Sequence, residues 1–564
     1  NNNAIKRMIL VKQAYKLGKD YFFSKENRLK AWSLLIASII LQLTMVYSAV
    51  LMNKWNNDFY TALQNVDKSA LIKSLKVFCL VVAFTIFVFI GKYICQASLA
   101  LDWRKFMTEK YYNKWLENNA FFGFHLLNNN NDNPDQRISE DVRSFTLLSI
   151  ELTFGILDAV VTLLSFVTIL WGLSSAINFS FLNIDIKIPG YLVWSSLIYS
   201  IFGTIITYII GRKLAGIDFL QEQKEANFRF AMMRVRENSE AISLLKGESF
   251  EKNIFKVALE EVILNNLKII NINKNLGIWM NLYNNFSNIF PILLASPMYF
   301  AKKIMLGGLM QIASAFGKVQ DSLSFLVDSF KTIASYKAVV DRLSGFIDNI
   351  NKWNEFYLNT EIKVDSYAQD NLVIDELSLT TPSNKKLFDH LNLSFVPGKS
   401  YLITARNGFG KSTLIKAIAR IWVFGKGRVL MPENKSLFIV PQAPYMCRGS
   451  LLQNITYPMD GAADLEYIKS LMLKLNINDL IERLNNIENW STSLSTGEQQ
   501  KITILRAIIY KPELLILDEA TSALTEDDES KAYSLLKDKL PNAIIISIGH
   551  RKTLKAYHDE LLSL

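Results

Sequence analysis

The sequence predicts two domains, an all-α membrane-spanning domain followed by an α/β domain that carries a phosphate-binding loop. Half of its 564 residues are apolar, a large share for a soluble protein of this length. The apolar residues are concentrated before about residue 330. The remainder has the composition of an ordinary α/β domain and contains the segment ARNGFGKS, between Ala405 and Ser412.

Runs of about 20 mostly apolar residues are long enough to cross a bilayer as helices. Six such runs are predicted, near residues 32–52, 74–96, 147–177, 190–210, 275–300 and, more weakly, 304–330. Basic residues crowd the segment before the first run, whereas the loop after it is nearly balanced in charge. The positive-inside rule therefore predicts a cytoplasmic N-terminus, and an even number of spans returns the C-terminal domain to the same side.

The net charge of +10 does not indicate a nucleic-acid partner, because the basic residues form no groove-like block with interleaved aromatics. Many of them flank apolar runs instead, which indicates a lipid bilayer as the partner. The three cysteines have neither metal-binding spacing nor a disulfide pattern.

Two of the predicted spans contain polar or charged residues. Glu151 and Asp158 are seven residues apart on the third, and so share one helix face. The sixth contains Gln311, Ser314, Lys318, Gln320, Asp321, Ser322 and Ser324. A charged group at the centre of a bilayer helix costs about 3 kcal/mol, so these residues are expected to line a polar translocation cavity. The alternative is that these helices extend into the cytoplasm, where the same residues are solvated.

Long charged segments at 97–146 and 211–272 separate the spans and are predicted to be helical extensions in the cytoplasm. The predicted organisation is a cytoplasmic segment at 1–30, a six-helix membrane domain at 31–345, a linker at 346–368 and an α/β domain at 369–564.

A short strand, Tyr401 to Thr404, precedes the glycine-rich segment, and a helix follows it from Thr413 to Arg420. This arrangement points backbone N–H groups at phosphate oxygens. Lys411 is predicted to reach the β- and γ-phosphates of ATP, and the Ser412 hydroxyl to bind Mg²⁺. The predicted nucleotide-binding residues of the loop are Arg406, Asn407, Gly408, Phe409, Gly410, Lys411, Ser412 and Thr413.

Further motifs complete a predicted site for ATP hydrolysis. In LLILDE, Asp518 is assigned to Mg²⁺ and Glu519 to the attacking water. His550 follows another apolar strand and is assigned to the γ-phosphate, whereas Gln442 is assigned to the metal and the water. The predicted catalytic residues are therefore Glu519, His550, Gln442 and Lys411, and the predicted Mg²⁺ ligands are Ser412, Gln442 and Asp518.

The segment LSTGEQQ, at 494–500, has no function in a site built from its own chain. Ser495, Gly497 and Glu498 stand at a predicted helix start, which favours an anion. We expect them to bind the γ-phosphate held by a second copy, which implies a homodimer. A heterodimer with a related chain is the alternative.

Together the segments ARNGFGKST, PQAPYM, LSTGEQQ, LLILDE with SALT, and IGHR resemble those of the ABC transporter superfamily. WNNDFYTALQN, DNPDQRISEDVRSFT, RVRENSEAISLLKGE and LGGLMQIASAFGKVQ resemble SbmA/BacA-type permeases fused to an ATPase, a group related to the peroxisomal fatty-acyl half-transporters. The resemblance implies a six-helix, domain-swapped, exporter-type fold in the cell (inner) membrane. It also implies substrates among peptides, cobalamin-like hydrophilic solutes and fatty acyl-CoA.

Three positions depart from the family pattern. Ala405 replaces a glycine, Thr525 replaces an acid, and Thr380, Thr381 and Pro382 stand where an adenine-stacking aromatic is expected. None of them removes the predicted base, so hydrolysis is still expected.

The sequence therefore predicts an ATP-driven transporter of a hydrophilic solute, such as a peptide or a cobalamin-like molecule. A nucleotide-gated channel or facilitator and a fatty-acyl transporter are the alternatives. The direction of transport stays open, as does a contribution of protons through Glu151.

Overall fold

The computed structural model describes residues 2–127, 133–174, 177–181, 184–406, 408–459 and 464–564. The chain divides into two compact units. The first, here called the helical unit, contains Asn1–Asn113 and Asn133–Ile347. The second, here called the sheet unit, contains Lys114–Asp132 and Asp348–Leu564.

Long helices dominate the chain up to residue 358. In chain order they are α1 (Asn2–Phe23), α2 (Arg28–Gln64), α3 (Lys68–Leu116), α4 (Ala120–Leu126), α5 (Pro134–Gln136), α6 (Val142–Leu173), α7 (Tyr191–Gly211), α8 (Leu214–Glu237), α9 (Ser239–Leu244), α10 (Glu248–Phe300), α11 (Leu306–Asp328) and α12 (Phe330–Leu358). An antiparallel pair, β1 (Ile177–Phe181) and β2 (Ile184–Ile188), lies between α6 and α7. The predicted linker at 346–368 corresponds to the end of α12 and to the first strand of the sheet unit.

Among the described residues, four helical segments are long and apolar enough to cross a membrane: Arg28–Gln64, Lys68–Phe124, Pro134–Leu173 and Tyr191–Glu237. The first two predicted spans lie within the first two of these segments. The third, predicted at 147–177, ends as a helix at Leu173, and Ile177 already begins β1; the fourth, predicted at 190–210, begins as a helix at Tyr191. The fifth and sixth predicted spans are also helical, as the second half of α10 and as α11. Asparagines in α10 and the polar residues of α11 make these two less apolar.

Large apolar side chains lie exposed along the first four spans, Leu80, Phe87 and Ile198 among them. In a bilayer such a surface meets acyl chains, and helices satisfy their own backbone groups there.

Helix α11 packs against α2, α6, α7 and α10. Its polar residues pair with those neighbours. Gln311 donates to Asn53 Oδ1 over 3.1 Å, while Asn53 Nδ2 donates back to the Gln311 carbonyl over 3.0 Å. The Ser287 hydroxyl donates to Gln320, which is buried. Both glutamines therefore pair with neighbouring helices of the bundle, where Gln320 is buried and Gln311 is half-buried.

The sheet unit continues with strands and shorter helices. They are β3 (Glu361–Tyr367), β4 (Leu372–Thr380), β5 (Lys386–Phe395), β6 (Ser400–Thr404), α13 (Lys411–Ile418), β7 (Gly425–Pro432), β8 (Leu437–Val440), β9 (Gly449–Ser450), α14 (Leu451–Thr456), α15 (Leu465–Lys474), β10 (Ile487–Glu488), α16 (Trp490–Ser493), α17 (Thr496–Tyr510), β11 (Leu514–Asp518), α18 (Glu526–Lys539), β12 (Ile544–Ile548) and β13 (Glu560–Ser563).

Two larger sheets form this unit. The first has the order β13-β6-β12-β11-β8 and is parallel throughout. Its central strands are mostly apolar and almost entirely buried, as expected for strands covered on both faces. The second has the order β3-β7-β4-β5 and is mostly antiparallel. Because parallel strands end at one edge, the loops after β6, β8, β11 and β12 lie together.

A buried histidine ties β12 to the chain after it. His558 contacts the Ser547 hydroxyl over 2.7 Å and the Leu554 carbonyl over 2.7 Å. Burial lowers the pKa of His558 below its ordinary value of 6.5. As the pH falls, His558 therefore binds a proton at a higher pH in the unfolded chain than in the folded chain. The stability that the neutral imidazole contributes is present above about pH 6.5 and is lost as the pH falls below that value.

We predict that the sheet unit of the full chain unfolds at a lower temperature at pH 5.5 than at pH 7.5, and that His558→Asn reduces this difference. Calorimetry of the detergent-solubilised protein measures both. An unchanged pH dependence in the variant would contradict the assignment of this effect to His558.

Candidate functional site

The loops that follow four parallel strands bring the predicted catalytic residues to one edge of the sheet. Lys411 follows β6, Gln442 follows β8, Glu519 follows β11 and His550 follows β12. A recess of about 220 Å³ at this edge is lined by Glu519 and His550. The carboxyl ends of parallel strands are the usual position for a ligand in a sheet of this kind.

The phosphate loop turns sharply between β6 and α13. Gly408 and Gly410 have φ values of +82° and +100°, which side chains with a Cβ rarely adopt. A Cβ at Gly410 would also lie 3.2 Å from Leu387 Cβ. Phe409 stacks on Phe388 of β5 at 5.7 Å between ring centroids. Ala405, Arg406, Ser412 and Thr413 are in their predicted positions along the loop and first turn of α13, and Asn407 lies outside the described residues.

Lys411 and His550 are in direct contact, Nζ to Nε2, and the Lys411 ammonium also donates to the Ala405 carbonyl over 3.2 Å. Both side chains therefore already point to the space beside the loop. An anionic phosphate there would accept hydrogen bonds from both.

Glu519 is held in an unusual backbone conformation. Its φ of +48° lies in the left-handed region, and its N–H donates to the Ile548 carbonyl over 2.9 Å. Such a conformation costs on the order of 1–3 kcal/mol and is concentrated at functional sites. Gln442 Nε2 donates to one carboxylate oxygen of Glu519 over 2.8 Å, and His550 Nε2 lies 3.9 Å from the other.

Asp518 and Ser412 are two of the predicted Mg²⁺ ligands. Burial raises the pKa of Asp518, and the nearby Ser412 hydroxyl opposes that rise. A carboxylate, a hydroxyl and the amide oxygen of Gln442 are hard oxygen ligands of the kind that Mg²⁺ prefers. The residues present therefore fit Mg²⁺ and a nucleotide phosphate.

The LSTGEQQ segment forms the start of α17. Ser495 is its N-cap, and the Ser495 hydroxyl and N–H both donate to Glu498 Oε2, over 2.7 and 2.8 Å. Glu498 thus fixes Ser495 at an exposed helix N-terminus, where the dipole favours an anion. A Cβ added at Gly497 would lie 3.3 Å from the Ala523 carbonyl oxygen, so a larger residue would crowd the next loop.

The loop at 521–525 is tied to both sides of the site by two residues to which the sequence assigned no role. Gln500 of α17 accepts from the Ala523 N–H over 2.9 Å and donates to the Ser522 hydroxyl over 3.2 Å. Arg551, next to His550, donates to the Leu524 carbonyl over 2.9 Å. Gln500 lies in LSTGEQQ and Arg551 in IGHR, so their place within these motifs was the sequence signal that could have identified them.

Thr525 has a structural function at the end of this loop. It is the N-cap of α18, and its hydroxyl accepts from the Asp528 N–H over 3.3 Å. Aspartate is also a good N-cap, so threonine preserves this local function of the usual acid.

We predict that Thr525→Ala costs about 1 kcal/mol and lowers the unfolding midpoint of the sheet unit by about 2–4 °C. Thr525→Asp keeps a capping oxygen and should keep the midpoint. Calorimetry of both variants checks this, and equal destabilisation by the two would contradict the capping role.

Thr380, Thr381 and Pro382, which stand where an adenine-stacking aromatic is expected, belong to a hydrogen-bonded turn. The Thr381 N–H donates to the Lys385 carbonyl over 2.8 Å, and the Thr381 hydroxyl accepts from the Lys385 N–H over 3.1 Å. Thr381 therefore organises the connection between β4 and β5.

The sheet unit includes a segment from the predicted cytoplasmic extension. Trp353 of α12 is fully buried, and its Nε1 donates to the Asn118 carbonyl over 2.8 Å. A Cβ on Gly123 of α4 would lie 2.1 Å from Trp353 Cδ2, so only glycine fits there. Lys416 of α13 stands 5.6 Å above the Phe122 ring. Helix α4 therefore contacts the helix that begins at the phosphate loop.

The helical unit contains a separate cavity of about 330 Å³ between α2, α3, α6 and α11. Gln42, Lys92, Asp158, Lys318, Asp321 and Ser322 are among its lining residues. The two acidic residues predicted on the third span are both exposed, but only Asp158 is among the lining residues of this cavity.

The chain belongs to the ABC transporter family. Residues 17–300 match the family model for the ABC transporter transmembrane region 2, and residues 388–522 match the ABC transporter model. The protein is thus a membrane transporter with an ATP-binding domain that couples ATP hydrolysis to transport.

Several curated proteins are similar over nearly the whole chain. An uncharacterised ABC transporter ATP-binding protein of Haemophilus influenzae is 32% identical over 96% of this chain and 90% of its own. The inner membrane ABC transporter ATP-binding protein YddA of Escherichia coli is 27% identical over 99% and 98%. The human lysosomal cobalamin transporter ABCD4 is 24% identical over 96% and 92%.

The fold is also that of a solved ABC exporter. A bacterial Atm1-family exporter with ATP bound matches with a TM-score of 0.73 over 94% of both chains, at 18% sequence identity. The predicted exporter-type architecture, a helical membrane domain followed by an α/β ATPase domain with a parallel sheet, is therefore confirmed.

Proposed function

We propose that this chain works as a homodimer that uses ATP hydrolysis to move a hydrophilic solute, such as a peptide or a cobalamin-like molecule. The observation that carries the proposal is the convergence of Lys411, Asp518, Glu519 and His550 at one sheet edge, in a chain whose membrane helices enclose a charged cavity.

In this proposal Glu519 accepts a proton from the water that attacks the γ-phosphate. Gln442 orients its carboxylate, while Lys411 and His550 donate to the phosphoryl oxygens. Ser412, Asp518 and Gln442 would hold Mg²⁺, which would neutralise phosphate charge. The loop residues Arg406, Asn407, Gly408, Phe409, Gly410 and Thr413 surround the phosphates, and Ser495, Gly497 and Glu498 serve the second copy.

The exposed N-terminus of α17 supports the dimer. Ser495 and its helix dipole are prepared for an anion, and a second copy that supplies the phosphate completes the site. We propose that the protein resides in the cell (inner) membrane. The basic flank before the first span supports an orientation in which the N-terminus and the ATPase domain face the cytoplasm.

The charged cavity favours a hydrophilic cargo over a fatty-acyl chain, because an acyl chain would gain nothing from lysine and aspartate side chains. The name of the human relative, a cobalamin transporter, supports the proposal of a hydrophilic cargo.

Proteoliposomes that contain the full chain test this substrate class. Labelled cobalamin, a proline-rich peptide and an acyl-CoA are offered in parallel, with ATP outside or inside the vesicles so that both directions are covered. We expect ATP-dependent movement of cobalamin or the peptide. Movement of the acyl-CoA alone would contradict the proposal and favour the fatty-acyl alternative.

A further inference from the structure

We propose that the cavity between α2, α3, α6 and α11 is the cargo site, and that it takes a zwitterionic solute with cationic and anionic groups on one small molecule or peptide. This inference rests on the proposed transport function and specifies its cargo. Four helices contribute one polar group or more to the same space, with Lys92 and Lys318 as cations and Asp158 and Asp321 as anions.

These four charges do not neutralise one another. Among the described residues, none of them has an oppositely charged side-chain atom within the 4.0 Å limit of an ion pair. Asp158 instead accepts a hydrogen bond from Gln42 Nε2 over 2.5 Å. Both lysines and Asp321 therefore keep their hydrogen-bonding capacity for water or for a ligand.

Charged side chains without ion-pair partners are unusual within membrane-spanning helices, and a ligand would explain them. Asp158 stands in the middle of α6 and Lys318 in the middle of α11, and both are exposed. A charge that faced lipid at bilayer depth would cost about 3 kcal/mol, so such residues face water or a polar partner instead. A purely structural role would bring the opposite charges into contact, because contact reduces that cost. Their separation around a shared cavity leaves each one available to a charged group on the cargo.

The balance of signs selects the cargo. A polyanion such as a nucleotide-bearing thioester would meet Asp158 and Asp321 as like charges, and a polycation would meet the two lysines. A solute with two positive and two negative groups, such as a short zwitterionic peptide, can pair with all four. The cavity volume of about 330 Å³ is at the small end of ligand sites, which fits a short peptide or a charged portion of a larger solute.

The Asp158 carboxylate is oriented by Gln42, a side chain that is itself buried. Gln42 therefore acts as a positioning residue: its amide occupies one lone pair of the carboxylate and leaves the others directed to the cavity.

Equilibrium binding to the full chain in nanodiscs, without nucleotide, tests the proposal. The probes are radiolabelled Lys-Ala-Glu with free termini and its uncharged counterpart, acetylated and amidated Gln-Ala-Gln. We expect the charged peptide to bind and the uncharged one to bind at least about tenfold more weakly. Asp158→Asn and Lys318→Gln should each weaken binding of the charged peptide about tenfold. Both remove a charge from membrane depth, which spares folding.

Two matched variants separate the cavity from general charge effects. Glu151→Gln removes a carboxylate on the same helix, and Lys303→Gln removes an exposed lysine outside α11. Both should bind the charged peptide within twofold of the parent. Failure of the parent to bind it, equal affinity for the two peptides, or parental affinity in the cavity variants would each overturn the proposal. Because no ATP is present, failure of ATP-driven transport is a distinct result.

Discussion

Glu519→Gln should lower steady-state ATP hydrolysis by about 100- to 10,000-fold while ATP still binds. The amide cannot accept the proton of the attacking water, yet it is nearly isosteric and keeps an oxygen for Gln442 Nε2 to donate to. The phosphate loop is untouched by the change. Nucleotide therefore accumulates in the site as ATP, and the dimer stays closed around it.

Phosphate release and retained radiolabelled ATP measure this in the detergent-purified full chain. Glu466→Gln is the matched control, because Glu466 is an exposed carboxylate on α15 of the same unit and should leave turnover unchanged. Hydrolysis at the parental rate by the Glu519 variant would show that another group is the base.

A mixed dimer should recover an ATP site that both of its parent homodimers lack. Lys411→Ala removes the phosphate contact of the loop, and Ser495→Arg blocks the anion site at the start of α17. In each homodimer both sites carry the defect, so nucleotide trapping should fall at least about tenfold. In a dimer of one Lys411→Ala chain and one Ser495→Arg chain, both defects fall in one site, and the other site is fully parental.

Two affinity tags isolate the mixed dimer, and occupancy is measured after hydrolysis, when a phosphate analogue replaces the released phosphate and traps the nucleotide as ADP. We expect up to half of the parental occupancy. If each site were built from one chain, every site of the mixed dimer would be defective and occupancy would match the homodimers. That result would contradict the homodimer as the functional unit.

The ATPase site follows from the sequence because strand ends are predictable. Mostly apolar five-residue segments ending at Thr404, Asp518 and Ile548 are typical of buried parallel strands, and such strands end at one edge. The strained backbone of Glu519 and the link from Arg551 to the 521–525 loop depend on packing, which a pattern of residues does not specify.

In the helical unit, residue spacing alone does not predict which residues line the cavity. Glu151 and Asp158 share a helix face by their spacing, but seven residues separate them by about 10 Å along the axis. The cavity reaches Asp158 alone. At 346–368, Phe346, Ile350 and Trp353 recur at helical spacing and are buried. That spacing was an available signal that the predicted linker begins as the end of a packed helix.

The alternative of a nucleotide-gated facilitator remains the nearest competitor, since both functions require ATP binding. Concentrative transport distinguishes them, because only hydrolysis supplies energy to move a solute against its gradient. Proteoliposomes with the parental chain should accumulate the cargo above its external concentration with ATP, and should reach only equilibrium with a non-hydrolysable analogue or with Glu519→Gln. Equilibration without accumulation by the parental chain with ATP is what a facilitator would give, and it would contradict ATP-driven transport; so would equal concentrative accumulation under all three conditions.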